Sequence, residues 1–214
     1  MSQTAPPTPP AAVPTPVKYR TILLFGAPGT GKSTQGRILG AIPNFYHFAT
    51  GDAFRQLRPD TELGRLFLDY SSRGQLVPDE PTIQLCRRHL EAAERGGSFV
   101  PATDTLLLDG IPRNTNQAQF LQPFADLRLI LYLTCSDMDK IAVRLQRRAL
   151  RDNRLDDADL GVIRRRLEVF ERETRAVLDF YGPELLRKID ALQTPVQVLG
   201  DILRAIAELP ALDS

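Results

Sequence analysis

The sequence predicts an α/β protein, a parallel sheet covered by helices on both faces. Short apolar runs bounded by turn residues alternate with longer stretches of helical periodicity, and parallel strands need such crossovers. The first apolar run passes straight into a glycine-rich turn and then a helical stretch. A chain of 214 residues, 43% of them hydrophobic, is long enough to bury one good core.

Residues 1–17, "MSQTAPPTPPAAVPTPV", hold six prolines and no charged side chain, which predicts a disordered or polyproline-like tail. They lack the basic and apolar regions of a signal peptide and the arginines of a transit peptide. The folded domain is therefore expected over 18–214. "TILLF" (21–25) is the first strand and "FYHFA" (45–49) a second, weaker one. "TGDAFRQ" (50–56) starts a helix, capped by Thr50 or Asp52, with Arg55 one turn in; Asp52 is read as a cap rather than a general base. "GQLVPDE" (74–80) turns into another helix, with Asp79 or Glu80 near its positive end. Between these two lies a small helical excursion, expected to form a flap. "TLLLD" (105–109), "LRLILYLTC" (127–135) and "LLRKID" (185–190) complete five strands. Over 160–181, Leu160, Ile163, Leu167, Phe170, Val177 and Tyr181 recur on one helix face. Glu168 with Arg172, and Glu171 with Arg175, are spaced as ion pairs on the other.

Composition excludes some functions. A net charge of +1 gives no bulk attraction to nucleic acid or a membrane surface. The apolar runs are too short to span a bilayer. Cys86 and Cys135 are far apart and outside any CxxC spacing, which argues against a disulfide framework and a structural zinc site and for a reducing compartment. Of 27 basic residues, only Lys18, Lys32, Lys140 and Lys188 are lysines. Codon bias explains such a balance; so does phosphate recognition by guanidinium forks.

"GAPGTGKST" (26–34) fits G-x-x-x-x-G-K-[ST], follows a strand and opens a helix, which identifies a phosphate-binding P-loop. Its backbone N–H groups and helix N-terminus supply positive potential. Lys32 is expected to reach the β- and γ-phosphates, and the Ser33 hydroxyl to help hold Mg²⁺. In "LLDGIPRN" (107–114), Asp109 ends a strand, where a carboxylate organises the magnesium, and Arg113 follows a tight turn, where it suits a second anionic substrate. Eight arginines fall between 144 and 166. A solvated basic face accounts for Arg147, Arg151, Arg164 and Arg165, but not for Arg154 in the acidic "NRLDD" loop.

"GAPGTGKSTQG", "TGDAFR", "GQLVPDE", "LLDGIPRNTNQAQ" and the late arginines occur in the order and spacing of the nucleoside monophosphate kinases, and from Lys18 to Pro210 the chain most resembles adenylate kinase in its small-lid form. The resemblance implies a three-layer P-loop fold with a five-stranded parallel sheet, a helical monophosphate-binding flap at 49–78 and a short lid at 149–159. It implies ATP phosphates on Gly26, Pro28, Gly29, Thr30, Gly31, Lys32, Ser33 and Thr34. Arg144, Arg148 and the Ala191 backbone would complete the ATP site. AMP would meet Thr50, Arg55, the backbone of Gln75, Leu76 and Val77, Gly110, Ile111, Pro112, Arg113 and Gln117, which reads the adenine edge. Lys32, Arg113, Arg148, Arg154 and Arg166 would act on the transferring phosphoryl group, Arg154 and Arg166 also contacting AMP. Ser33 and, through water, Asp109 would hold Mg²⁺. The cysteine-free lid implies no zinc. Ile111 stands where the family usually carries phenylalanine, and Ala191 where many members carry glycine.

The implied reaction is reversible transfer of the terminal phosphoryl group of ATP to AMP, giving two ADP, in a cytoplasmic monomer. A monophosphate with a second pKa of about 6 is already ionised at neutral pH and needs no general base. Alternatives are a CMP or UMP kinase on the same scaffold, a nucleotide-binding regulatory or scaffold protein that has lost catalysis, and a more distant P-loop kinase of alcohols that uses Asp109 as base.

Overall fold

The computed structural model describes residues 18–152 and 159–210. The proline-rich tail predicted at 1–17, the central part of the predicted lid and Arg154 lie outside the described residues. The five predicted strands form one sheet: β1 (Tyr19–Phe25), β2 (Phe45–Ala49), β3 (Thr105–Asp109), β4 (Ala125–Thr134) and β5 (Leu186–Asp190), in the order β2-β3-β1-β4-β5. Every pairing is parallel. β1 and β4 begin two residues earlier than their apolar runs because Tyr19 and Arg20 pair with Ala125 and Asp126, so ladder hydrogen bonds continue past the hydrophobic stretch.

The strands read as continuous apolar runs because both faces are buried. Leu23, Phe25, Phe48, Leu106, Leu108 and Ile130 point to one side. There they meet Cys86 and Leu90 of α4 (Asp79–Arg95), Ala118 and Leu121 of α5 (Thr115–Leu121), and Phe170 and Val177. Ile22, Leu24, Leu107, Leu129, Leu131 and Ile189 point to the other side, against Leu39 of α1 (Lys32–Leu39) and Val198 and Ile202 of α9 (Pro195–Ala207). A smaller cluster of Ile141, Leu145 and Ile163 joins α6 (Met138–Asp152) to α7 (Leu160–Val169). Between β2 and α4 run two short helices, α2 (Thr50–Arg55) and α3 (Glu62–Ser72).

The helix expected over 160–181 is interrupted. α7 ends at Val169, a π-helical turn covers Phe170–Thr174, and α8 spans Ala176–Tyr181. The wider turn buries both Phe170, which packs 5.9 Å from the Phe25 ring, and Thr174. It also changes the surface pairing. Glu171 pairs with Arg175 at 2.9 Å as expected, but Arg172 turns to Glu173 and Glu168 to Arg165. Leu160, expected on the buried face, is 46% exposed because it opens α7 beyond the small apolar cluster that joins this helix to α6.

Candidate active site

Register brings the site together. Leu24 of β1 and Ala49 of β2 both pair with Asp109 at the end of β3. The glycine-rich loop after β1, the carboxylate of β3 and the start of α2 therefore meet at one carboxyl edge, where ligands bind in open parallel sheets. Gly26, at φ 140°, passes so close to the tip of β4 that a Cβ there would lie 2.5 Å from the Leu133 carbonyl oxygen.

Within the loop, Lys32 opens α1 and its Nζ donates to the carbonyls of Gly26 at 2.7 Å and Ala27 at 2.9 Å. The ammonium sits among dense protein although part of the side chain reaches the cavity. Desolvation pulls its pKa down to about 8; Asp109 opposes the shift, and Arg113, Arg148 and Arg166 add to it. Four cations thus converge on one place. The Ser33 hydroxyl donates to Asp109 Oδ2 at 2.5 Å, across 76 positions of sequence. Burial raises the Asp109 pKa, but His47, Lys32 and Ser33 outweigh it and hold the carboxyl below its usual range. His47 Nε2 stands 3.8 Å away, beyond ordinary hydrogen-bond reach, so its help is electrostatic. A carboxylate so stabilised is a poor base, which removes the main support for alcohol phosphorylation.

One cavity is lined by Gly26, Pro28, Gly29, Gly31, Lys32, Ser33 and Thr34 on one side and by Thr50, Arg55, Gln75, Leu76 and Val77 on the other. Asp109, Gly110, Ile111, Pro112, Arg113, Gln117, Arg148 and Arg166 join the two sides. Three predicted residues lie off this cavity. Thr30 is buried and donates to the Ala27 carbonyl at 2.9 Å, so its hydroxyl fixes the loop. Arg144 donates to the Ala191 carbonyl at 2.6 Å, so those two are brought together at the neighbouring strand tips. Ile111, although it borders the cavity, is 3% exposed and packs in the core. The predicted lid begins inside a helix, since residues 149–152 belong to α6. Arg151, read from sequence as part of a solvated face, borders the cavity while pairing with Asp152.

Neither Thr50 nor Asp52 caps α2. The N-cap is Ala49, without a side-chain hydrogen bond, because the helix starts at Thr50 and leaves Asp52 inside its first turn. Asp52 instead pairs with Arg37 at 2.9 Å and Arg55 at 2.7 Å, since two guanidiniums hold a carboxylate better than one backbone N–H does. The Thr50 side chain is 2% exposed, and its Oγ1 has no hydrogen-bond partner among the described residues. A buried hydroxyl left so at a cavity wall is poised for a ligand. Arg113 Nε donates to the Gly110 carbonyl at 2.8 Å, which folds the side chain back over its turn.

Sequence reasoning missed His47, Arg37 and the aromatic stack of Phe54 on Phe67, with centroids 5.2 Å apart. A lone histidine in a weak strand carries no motif, and the stack joins separate helices. No helix of the described residues is long and apolar enough to cross a membrane.

The family model described as adenylate kinase matches residues 24–185. The chain is 39% identical over 177 residues to an adenylate kinase of Thermobifida fusca, covering 80% of this chain and 89% of that one. It is 36% identical over 174 residues to one from Corynebacterium urealyticum, covering 79% and 90%. With a Synechococcus adenylate kinase it shares 32% identity over 194 residues, 87% of this chain and 95% of the other.

Proposed function

The chain belongs to the adenylate kinase family and is an enzyme that transfers a phosphoryl group reversibly from ATP to AMP, giving two ADP; from that premise we propose how its own side chains do so. The observation that carries the proposal is one cavity lined by the Gly26–Thr34 loop and by residues between Thr50 and Val77, with Lys32, Arg113, Arg148 and Arg166 close enough on its wall to act on one another. Two polyanions placed head to head need alignment and charge neutralisation rather than a base. The loop from Gly26 to Thr34 holds the donor phosphates, with Arg144 and Ala191 beside the donor base. Lys32, Arg113, Arg148 and Arg166 neutralise the phosphoryl group in transit, and the resemblance assigns the same role to Arg154. Thr50, Arg55, Gln75, Leu76 and Val77 of the 49–78 flap, Gly110 to Arg113 and Gln117 hold AMP.

Ser33 and Asp109 offer a hydroxyl and an ionised carboxylate side by side, the hard oxygen donors that Mg²⁺ prefers. When bound with ATP, the ion neutralises phosphate charge. Ser33 and Asp109 keep each other oriented for it, and no zinc is required. Both cysteines are free thiols, which supports a cytoplasmic location. We assign a monomer by analogy with the small-lid form.

The test mixes purified protein, ATP and Mg²⁺ with AMP, CMP, UMP or GMP in turn and scores diphosphates by chromatography. Two ADP per AMP consumed, with little product from the others, is expected. Turnover of CMP or UMP in preference to AMP would select the pyrimidine reading, and no turnover at all would leave a nucleotide-binding protein. Replacing Thr50 by Ala should relax base choice in the same assay.

A further inference from the structure

Gln117 is 1% exposed, and its amide is held from two sides. Oε1 accepts from the Arg113 backbone N–H at 2.8 Å, and Nε2 donates to Asp79 Oδ1 at 2.8 Å. The same Asp79 oxygen accepts from Asn114 Nδ2 at 2.8 Å, while Asn114 Oδ1 caps α5 by accepting from the Gln117 N–H at 2.8 Å. Chemistry makes each contact one-way. A backbone N–H only donates and a carboxylate only accepts. Turning the Gln117 amide over would set NH₂ against an N–H and carbonyl oxygen against a carboxylate, two repulsive contacts in a buried place.

The orientation matters because an amide read in one sense complements one purine edge and, reversed, the other. A 6-aminopurine offers an acceptor at N1 and a donor at N6; a 6-oxopurine offers a donor at N1 and an acceptor at O6. An amide free to flip serves both. Gln117 borders the cavity, whereas Asp79, the first residue of α4, does not.

We propose that Asp79 is a positioning residue that makes the enzyme choose 6-aminopurine over 6-oxopurine monophosphates by fixing the Gln117 amide in one orientation. This deepens the reading in which Gln117 meets the acceptor base, and it rests on that reading. Asp79 acts at one remove, touching Gln117 and Asn114 rather than the nucleotide.

The experiment measures kcat/KM for AMP and the inhibition constant of IMP competing with AMP, in wild type, Asp79→Ala, Asp79→Asn and Gln117→Leu. In both Asp79 variants the preference for AMP over IMP falls about tenfold, the factor supplied by one hydrogen bond to a charged group. KM for AMP rises, while kcat at saturating AMP and KM for ATP stay within about twofold. A merely structural role would instead lower thermal stability and leave the AMP-to-IMP ratio in place. Asn at 79 keeps the shape of the helix start and accepts either amide orientation, so it carries the test if the Ala variant folds poorly. Gln117→Leu should lower the ratio at least as far. If Gln117→Leu lowers it and both Asp79 variants do not, Asp79 has no part in base choice and the inference fails alone. If Gln117→Leu leaves it unchanged, Gln117 does not read the base, and both readings fall.

Discussion

In the candidate site, the proposed phosphate floor and the proposed acceptor flap are built differently. The floor is the Gly26–Thr34 loop with Asp109, inserted between adjacent strand tips and tied by Lys32 to two of its own carbonyls. The α2–α3 pair is held unevenly: α2 buries Thr50, Ala53 and Phe54, with Ala53 in the main core cluster, whereas Gly64 is the only fully buried residue of α3. α3 is joined to α2 by the parallel stack of Phe54 on Phe67, with ring planes 9° apart, and the chain returns at Gly74, where a Cβ would meet the Val162 carbonyl at 2.8 Å. Regions with few buried contacts open at low cost, whereas a loop wedged into a sheet does not. On the proposed reading the floor would be a fixed template for the donor and α3 the readily opened part of the cover over the acceptor, the division expected where closure must exclude water.

The strongest attempt to break that contrast is at the floor. Lys32→Met should lower kcat by about a thousandfold, because charge neutralisation at the phosphoryl group dominates such transfers. Thermal unfolding of the nucleotide-free protein should move little, since the loss of two hydrogen bonds to the Gly26 and Ala27 carbonyls is offset by removal of an ammonium that desolvation penalises enough to bring its pKa to about 8. Loss of both activity and stability would mean that Lys32 supports the fold rather than the chemistry. Next in size, Arg113→Ala should cost about a hundredfold in kcat/KM for AMP with KM for ATP little changed, as expected for one lost charge-assisted contact. Equal losses for both substrates, read from initial rates, would show that the two ends of the cavity are not separate.

A smaller effect sharpens the flap side. Removing the ring stack with Phe67→Ala should raise KM for AMP by up to about tenfold, given that such pairs contribute about 0.5–1.5 kcal/mol. Hydrogen exchange in α3 should accelerate while the β1 and β3 amides keep their protection. The mildest test lies in the core shared by both regions. Burial pushes the Cys86 thiol from 9.0 up to about 12. Between those values the folded chain keeps a proton that the unfolded chain has released, so stability falls as pH rises through that window. Tyr181, also raised to about 12, acts in the same sense. Cys86→Ala should therefore flatten only part of the alkaline loss in urea titrations. In native protein a thiol reagent should label Cys135 and spare Cys86.

The strands, the glycine-rich loop and Asp109 at a strand tip were legible because each is a local pattern: an apolar run, a glycine spacing, a residue at the end of a run. The proposed acceptor end rests mostly on resemblance, Arg113 after its tight turn being the residue that a local pattern pointed to. Nothing local in "TGDAFR" tells Asp52 to pair with Arg37 and Arg55 rather than cap its helix. Nor does periodicity announce that the helix after Leu160 widens at Phe170 to bury Phe170, beside Phe25, and Thr174.

Local pattern set the alternation of strands and helices, the glycine-rich loop and the residue types around it, because backbone preference and hydrophobic period act over a few neighbours. Packing chose the partners: His47 beside Asp109, Ser33 on Asp109, and Gln117 donating to Asp79 from 38 positions away. A carboxylate binds whichever donors packing brings within about 3 Å, and that choice belongs to the folded chain, not to any short stretch of it.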